Sequence, residues 1–199
     1  VREADVIHLH WINQGFLSLN DIKQLAALGK PIVWTMHDMW SYTGVCHYAS
    51  DCQSFHQMCG SCFYLDSHAD KDLSTQIYQK KQQIYKKADL SFVGCSNWIA
   101  ALAKKSGLLR GKRVVDIPNP IDTKLFRPAD KSKCRKDLSL PQDKRLILFG
   151  ALNVTDERKG VNYLLKALPL LKQPVELVVF GQVKSEIQEQ GPVPIHSLG

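Results

Sequence analysis

Three groups of residues in this 199-residue sequence could do chemistry. The first is His37-Asp38, which follows the apolar run Ile32-Val33-Trp34-Thr35. An imidazole placed there could be a hydrogen-bond partner or proton shuttle for a substrate, or a satisfied structural residue. His8 and His10 alternate along an earlier run, Val6 to His10, so they share one strand face and approach the same place. The second group is Cys46, Cys52, Cys59 and Cys62. Cys59 and Cys62 form a Cys-x-x-Cys hairpin that could give two thiolates to a tetrahedral zinc, with Cys46 and Cys52 as the second pair and His47 and His56 as substitutes. The Cys46 to Cys52 spacing is longer than a usual zinc knuckle, and disulfides or free thiols are the alternatives. The third is Asp156-Glu157-Arg158-Lys159-Gly160, two cations just before a helix, which reads as a phosphate site or as a solvated turn.

The elements that must position these groups alternate. Val6 to His10 reads as a strand. Ser18 or Asn20 caps a helix carrying Ile22, Leu25, Ala26 and Leu28, with Gly29 as its stop. Ile32 to Thr35 is the next strand, so His37-Asp38 falls where ligands bind in open α/β sheets, outside the carboxyl ends of strands. Residues 41–67 show neither period and read as a long ordered loop, which the four cysteines could hold. A helix over Asp72 to Ala88 places Ile77, Ile84 and Ala88 on one stripe and lysines around the other side. Leu90 to Gly94, a Ser96-capped helix to Lys105, and Arg113 to Ile117 complete a four-strand run. The apolar strands suggest parallel sheets covered on both faces.

Pro118-Asn119-Pro120-Ile121-Asp122 breaks the periodicity and suits a connection between domains. After a short helix over Lys131 to Leu138, a second alternation begins with strand Leu146 to Gly150, helix Val161 to Leu171 and strand Glu176 to Gly181. Only two strands are read in this second half. The expected organisation is a partial domain over residues 1–117 with its Cys-rich loop at 41–67, a linker over 118–128, and a second partial domain over 129–199.

Composition bounds the answer. Hydrophobic content of 44% and charged content of 23% are those of an ordinary globular protein. No window approaches the roughly 18 to 20 consecutive apolar residues of a membrane-spanning helix. The N-terminus opens directly on a strand, so the natural start is expected upstream. The net charge of +7 suits an anionic partner such as a nucleotide, a phospholipid surface or nucleic acid, or it is a solvated basic face with no partner.

The ordered series Ile7-His8-Leu9-His10-Trp11, Trp34-Thr35-Met36-His37-Asp38-Met39-Trp40, Thr43-Gly44-Val45-Cys46-His47-Tyr48, Ile117-Pro118-Asn119-Pro120-Ile121-Asp122 and Phe126 resembles glycosyltransferase family 4. More narrowly it is similar to the bacterial branch that builds capsular or exopolysaccharide. Phe149-Gly150-Ala151, Arg158-Lys159-Gly160 and Phe180-Gly181 resemble the start of that family's donor domain. The resemblance implies an α/β chain of GT-B type: two Rossmann-like parallel-sheet domains, both incomplete in this chain, and a cleft between them. It implies a hexosyltransferase-type enzyme that transfers a sugar from a nucleotide-sugar donor to a saccharide or lipid-linked acceptor, with retained anomeric configuration and no catalytic metal. His37 would be the catalytic residue near the transferred sugar. Arg158 and Lys159 would neutralise the donor diphosphate, and His10, Asp38 and Gly150 would belong to the cleft. Asn119 and Asp122 would serve the interdomain segment.

A glycine-rich loop would precede Val1 and an acidic donor-contacting motif would follow Gly199, so this piece alone is expected to be inactive. The expected place is cytoplasmic, with peripheral contact at the inner face of the cytoplasmic membrane as an extension. The alternative from a different class is a zinc-stabilised nucleic-acid-binding module or a membrane-surface scaffold using Lys80 to Lys87. The aromatic residues do not interleave with the basic ones, which argues against nucleic acid.

Overall fold

The computed structural model describes residues 1, 3–67, 69–182 and 191–199. The chain divides into two compact units, Val1–Ile121 and Asp122–Gly199. In the first, β1 (Ile7–Leu9), β2 (Ile32–Met36), β3 (Leu90–Gly94) and β4 (Arg113–Asp116) form a parallel sheet in sequence order. Each crossover carries a helix, as parallel pairing requires: α1 (Leu19–Ala26), α2 (Leu73–Lys87) and α3 (Asn97–Lys105). Their starts are set by side chains that accept from otherwise unpaired backbone N–H groups: Ser18 with a reciprocal Asp21, Asp72, and Ser96. Burial alone would push Asp72 up, but bonds from Ser74, Cys62 N and Thr75 N hold its carboxyl below the usual carboxylate range.

The register stacks Ile7, Ile32 and Leu90 in one row and Leu9, Trp34 and Phe92 in the next. These six, with Met36, are buried against Ile22, Tyr78, Ile84, Tyr85 and Ile99. On the other face His8 is exposed, Val33, Ser91 and Val93 are part-exposed and Thr35 is buried, so the first sheet is covered more fully on one face than on the other.

The long loop is tied down from α2, and one lysine of that helix corrects an expectation. Asp72, Thr75, Tyr78, Lys81 and Tyr85 recur every three or four residues, so they form one stripe of the helix. From that stripe the Asp72 carboxylate accepts from Cys62 N (2.7 Å), while Thr75 donates to Cys59 O (2.9 Å), Tyr78 to Gln57 O (2.8 Å) and Tyr85 to Ser41 O (2.8 Å). Lys81 is fully buried instead of lying on the solvated side of the helix. Its ammonium donates to Trp40 O, to Thr43 O (3.1 Å) and to Gly44 O (3.0 Å), and lies 3.5 Å from the centre of the Trp40 ring. Inside the loop, Trp40–Tyr42 and Ser54–His56 are single 3₁₀ turns.

The second unit contains α4 (Lys131–Asp137), β5 (Leu146–Asn153), α5 (Val161–Ala167), β6 (Glu176–Gln182) and β7 (Ile195–Ser197). Its sheet is parallel in the order β5-β6-β7 and packs Leu168, Leu177 and Val179 as a small core. The third strand is an addition to the two read from the sequence. Three residues after Pro194 carry no alternation, and β7 is defined by pairing with β6. The helix expected to reach Leu171 ends at Ala167 and continues as a 3₁₀ turn over Leu168–Leu170, where Pro169 lacks an N–H to donate. No helix among the described residues is long and apolar enough to cross a membrane.

Candidate functional site

At the carboxyl ends of β1 and β2 the first unit gathers its polar side chains. His8 and His10 share a face, as alternation dictates, with ring centres 4.3 Å apart, and His37 stacks next at 5.4 Å from His10. His10 Nδ1 and His37 Nε2 are 3.1 Å apart and share a hydrogen bond. Trp34 Nε1 donates to His10 O (3.0 Å), which fixes the end of β1 against β2. His8 reaches back to Thr35 Oγ1 at 2.9 Å, and burial with the neighbouring His10 pushes its pKa down. His37 therefore has one ring nitrogen engaged by His10, leaving Nδ1 as its other polar contact point.

Asp38 is the hub of a second network. Its Oδ1 accepts from Trp40 N (2.8 Å). Its Oδ2 accepts from Trp11 Nε1 (2.8 Å) and from His47 Nδ1 (2.7 Å). The Asp38 side chain is nearly buried while that of His47 is partly exposed. An ionised carboxylate can only accept, so it fixes the proton of His47 on Nδ1 and leaves the Nε2 lone pair outward. The sequence pointed to His37, Asp38 and His10, and the structure brings all three together. It adds Trp11 and His47, which no spacing rule singled out for this role: His47 lies nine residues beyond Asp38 in an irregular loop.

The four clustered cysteines come near enough for Cys46 to feel Cys52 and Cys62, and for Cys59 to feel Cys46 and Cys52. No three His, Cys, Asp or Glu side chains among the described residues are grouped so as to hold a metal ion. All six cysteines are free thiols. Burial pushes the Cys59 thiol up to about 11, against the opposing Gly44 N–H at 3.1 Å, and pushes Cys46 up as well. Cys46, Cys52 and Cys59 also pack against the core of the first unit.

In the second unit, Arg158 and Lys159 lie in a 3₁₀ turn over Glu157–Lys159, closed by Gly160 at φ +80°. Arg158 forms a bidentate pair with Asp156, Nε to Oδ1 at 3.0 Å and Nη2 to Oδ2 at 2.7 Å. The cation is thus presented on a carboxylate of its own turn. Gly150 lies in β5, where an added Cβ would come 2.0 Å from the Phe180 ring, so the glycine makes room for that ring.

Two comparisons bear on this site. The family model described as Glycosyltransferase Family 4 matches residues 1–125, which include all of β1 to β4, His37 and the Asp38 network. The chain is also similar to "Putative colanic acid biosynthesis glycosyl transferase WcaC" of Escherichia coli (strain K12). Identity is 26% over 98 residues, covering 45% of this chain and 24% of that protein. The chain thus spans about a quarter of the length of this curated relative.

Proposed function

The chain belongs to glycosyltransferase family 4, and on that premise we propose that the protein containing it transfers a sugar from a nucleotide-sugar donor to a hydroxyl of a saccharide or lipid-linked acceptor. We place this transfer in surface polysaccharide biosynthesis, as a hexosyltransferase that retains the anomeric configuration. The observation that carries the reading is the clustering of His10, His37 and the Asp38 network at the carboxyl ends of β1 and β2, inside the family-matched segment. The colanic acid biosynthesis role in the relative's name supports the polysaccharide setting.

In this reading His37 contacts the transferred sugar, its ring held by His10. Arg158 and Lys159 meet the donor diphosphate. A departing nucleoside diphosphate gathers negative charge, and cations placed beforehand favour the transition state without a catalytic metal. Arg158 must then exchange Asp156 for a phosphate, which is a charge-assisted partner with more acceptor oxygens. Calorimetric titration of the parent protein with UDP and GDP tests this step. The double substitution Arg158→Ala with Lys159→Ala is expected to weaken the tighter of the two at least ~10-fold, from the loss of two charge-assisted contacts; an unchanged Kd would remove these residues from the donor site.

The alternative of a different class, a nucleic-acid-binding module, rests on the net charge of +7 and the four clustered cysteines. A peripheral membrane contact has an observation in its favour. Between α1 and α2 lies a groove of about 880 Å³ rimmed by Lys23, Lys80, Lys86 and Lys87, with Leu19 and Ile77 among its apolar lining and no acidic lining residue. That pattern suits anionic phospholipid at the inner face of the cytoplasmic membrane. Lys80→Glu with Lys87→Glu is expected to abolish pelleting of the parent protein with phosphatidylglycerol vesicles at low salt, and undiminished pelleting would exclude the groove.

A further inference from the structure

We propose that the surface formed by Trp11 and His47, with Asp38 beneath both, is the subsite for the saccharide ring of the acceptor. The proposal rests on the transferase reading above and assigns a substrate to part of that site. Trp11 is 48% exposed, yet its indole nitrogen is tied to Asp38 Oδ2 at 2.8 Å. A large aromatic face is thus held still in solvent, where an untethered side chain would lose rotamer freedom on binding. His47 sits beside it, ring centres 6.3 Å apart and tilted by 48°. Its Nδ1 is fixed by the same Asp38 oxygen, its carbonyl accepts from Met39 N at 2.9 Å, and its Nε2 has no hydrogen-bond partner among the described residues.

A second observation points to a polar occupant. Ser41 is only 3% exposed and its hydroxyl has no hydrogen-bond partner among the described residues, and Asn13 Oδ1 is buried and equally unpartnered among them. Both residues line the same small pocket as Trp11 and Asp38. Buried polar atoms without partners are rare, and these two are able to bond a polar group that enters the pocket. The pocket measures about 10 Å³, room for one oxygen atom and not for a ring.

A pyranose fits this combination. Its apolar C–H face lies on the indole, one hydroxyl enters the pocket between Asn13 and Ser41, and another donates to His47 Nε2. Aromatic side chains that present an apolar face beside a polar partner suit a ligand that is itself apolar on one side and wet at the rim. Asp38 is a positioning residue here, since one carboxylate sets both the platform and the acceptor nitrogen.

The test is steady-state kinetics of the parent protein with a nucleotide-sugar donor and a saccharide acceptor. Trp11→Ala removes the platform. His47→Asn keeps an N–H donor for Asp38 and removes Nε2. Each is expected to raise the acceptor KM about tenfold while the donor KM stays within about twofold. An unchanged acceptor KM in both variants overturns the subsite, as does an equal rise in the donor KM, which would put the donor sugar here. A wild-type protein that turns over no nucleotide sugar overturns the transferase reading and the subsite with it. An active wild type with unaffected variants overturns the subsite alone.

Discussion

Replacing Lys81 by methionine is expected to lower the stability of the first unit by about 3 kcal/mol or more, from buried carbonyls left without a donor. The reason lies in what the ammonium holds. Three loop carbonyls, those of Trp40, Thr43 and Gly44, converge on Nζ, and three N–H donors are supplied only by the protonated amine. Burial drives the Lys81 pKa well down, opposed first by Cys59, then by Cys46 and Asp38, while the three carbonyls accept from Nζ and the Trp40 ring lies against it. Methionine matches the length of the side chain but leaves three buried carbonyls unpaired, each costing about 1 to 3 kcal/mol before relaxation. Because Trp40 follows Asp38 by two residues and donates to it, loosening this clamp also loosens the candidate site. Urea unfolding followed by tryptophan fluorescence measures the effect. A change below about 1 kcal/mol would show that the clamp is not what orders the loop.

Asp38→Asn is expected to lower the rate of sugar transfer by the parent protein about 100-fold, with a smaller loss of stability, about 1 to 3 kcal/mol for a nearly buried hydrogen-bond hub. The wild-type carboxylate accepts three donors, from Trp40 N, Trp11 Nε1 and His47 Nδ1. An amide offers one accepting oxygen and two N–H donors. If the oxygen keeps the Trp40 bond, the amide nitrogen faces Trp11 Nε1–H and cannot accept from it. The indole loses its tether, and His47 must change tautomer to keep any contact. Misplacement of positioning groups by about 1 Å can cost 10²-fold in rate. The same samples must unfold cooperatively in urea, which separates a rate effect from a folding defect. A transfer rate within threefold of wild type would show that this network is structural only.

Much of the architecture is written in apolar periodicity. Ile32 to Thr35 and Leu90 to Gly94 are visible as strands because their buried rows recur, and Ser96 and Gly29 mark helix ends by their own chemistry. The site is partly legible, because His37-Asp38 follows a strand and His8 and His10 alternate. Three features escape the pattern for physical reasons. Lys81 lies among exposed lysines, and charge alone places it outside. Its burial is set by loop carbonyls more than thirty residues away in sequence. The polar stripe of α2 was available as a signal in the spacing of Asp72, Thr75, Tyr78, Lys81 and Tyr85, but a search for an apolar stripe passes over it. His47 and Trp11 meet through Asp38 alone, a tertiary contact with no local period.

The account stands most directly on one assay: release of nucleoside diphosphate, with formation of a glycosylated product, by the full-length protein containing this chain, given a panel of nucleotide sugars and saccharide acceptors. Wild type is expected to turn over at least one donor in the presence of acceptor, and His37→Ala to lose at least ~100-fold of that rate while still folding. No turnover of any donor, or transfer by His37→Ala equal to wild type, would contradict the site assigned to the carboxyl ends of β1 and β2.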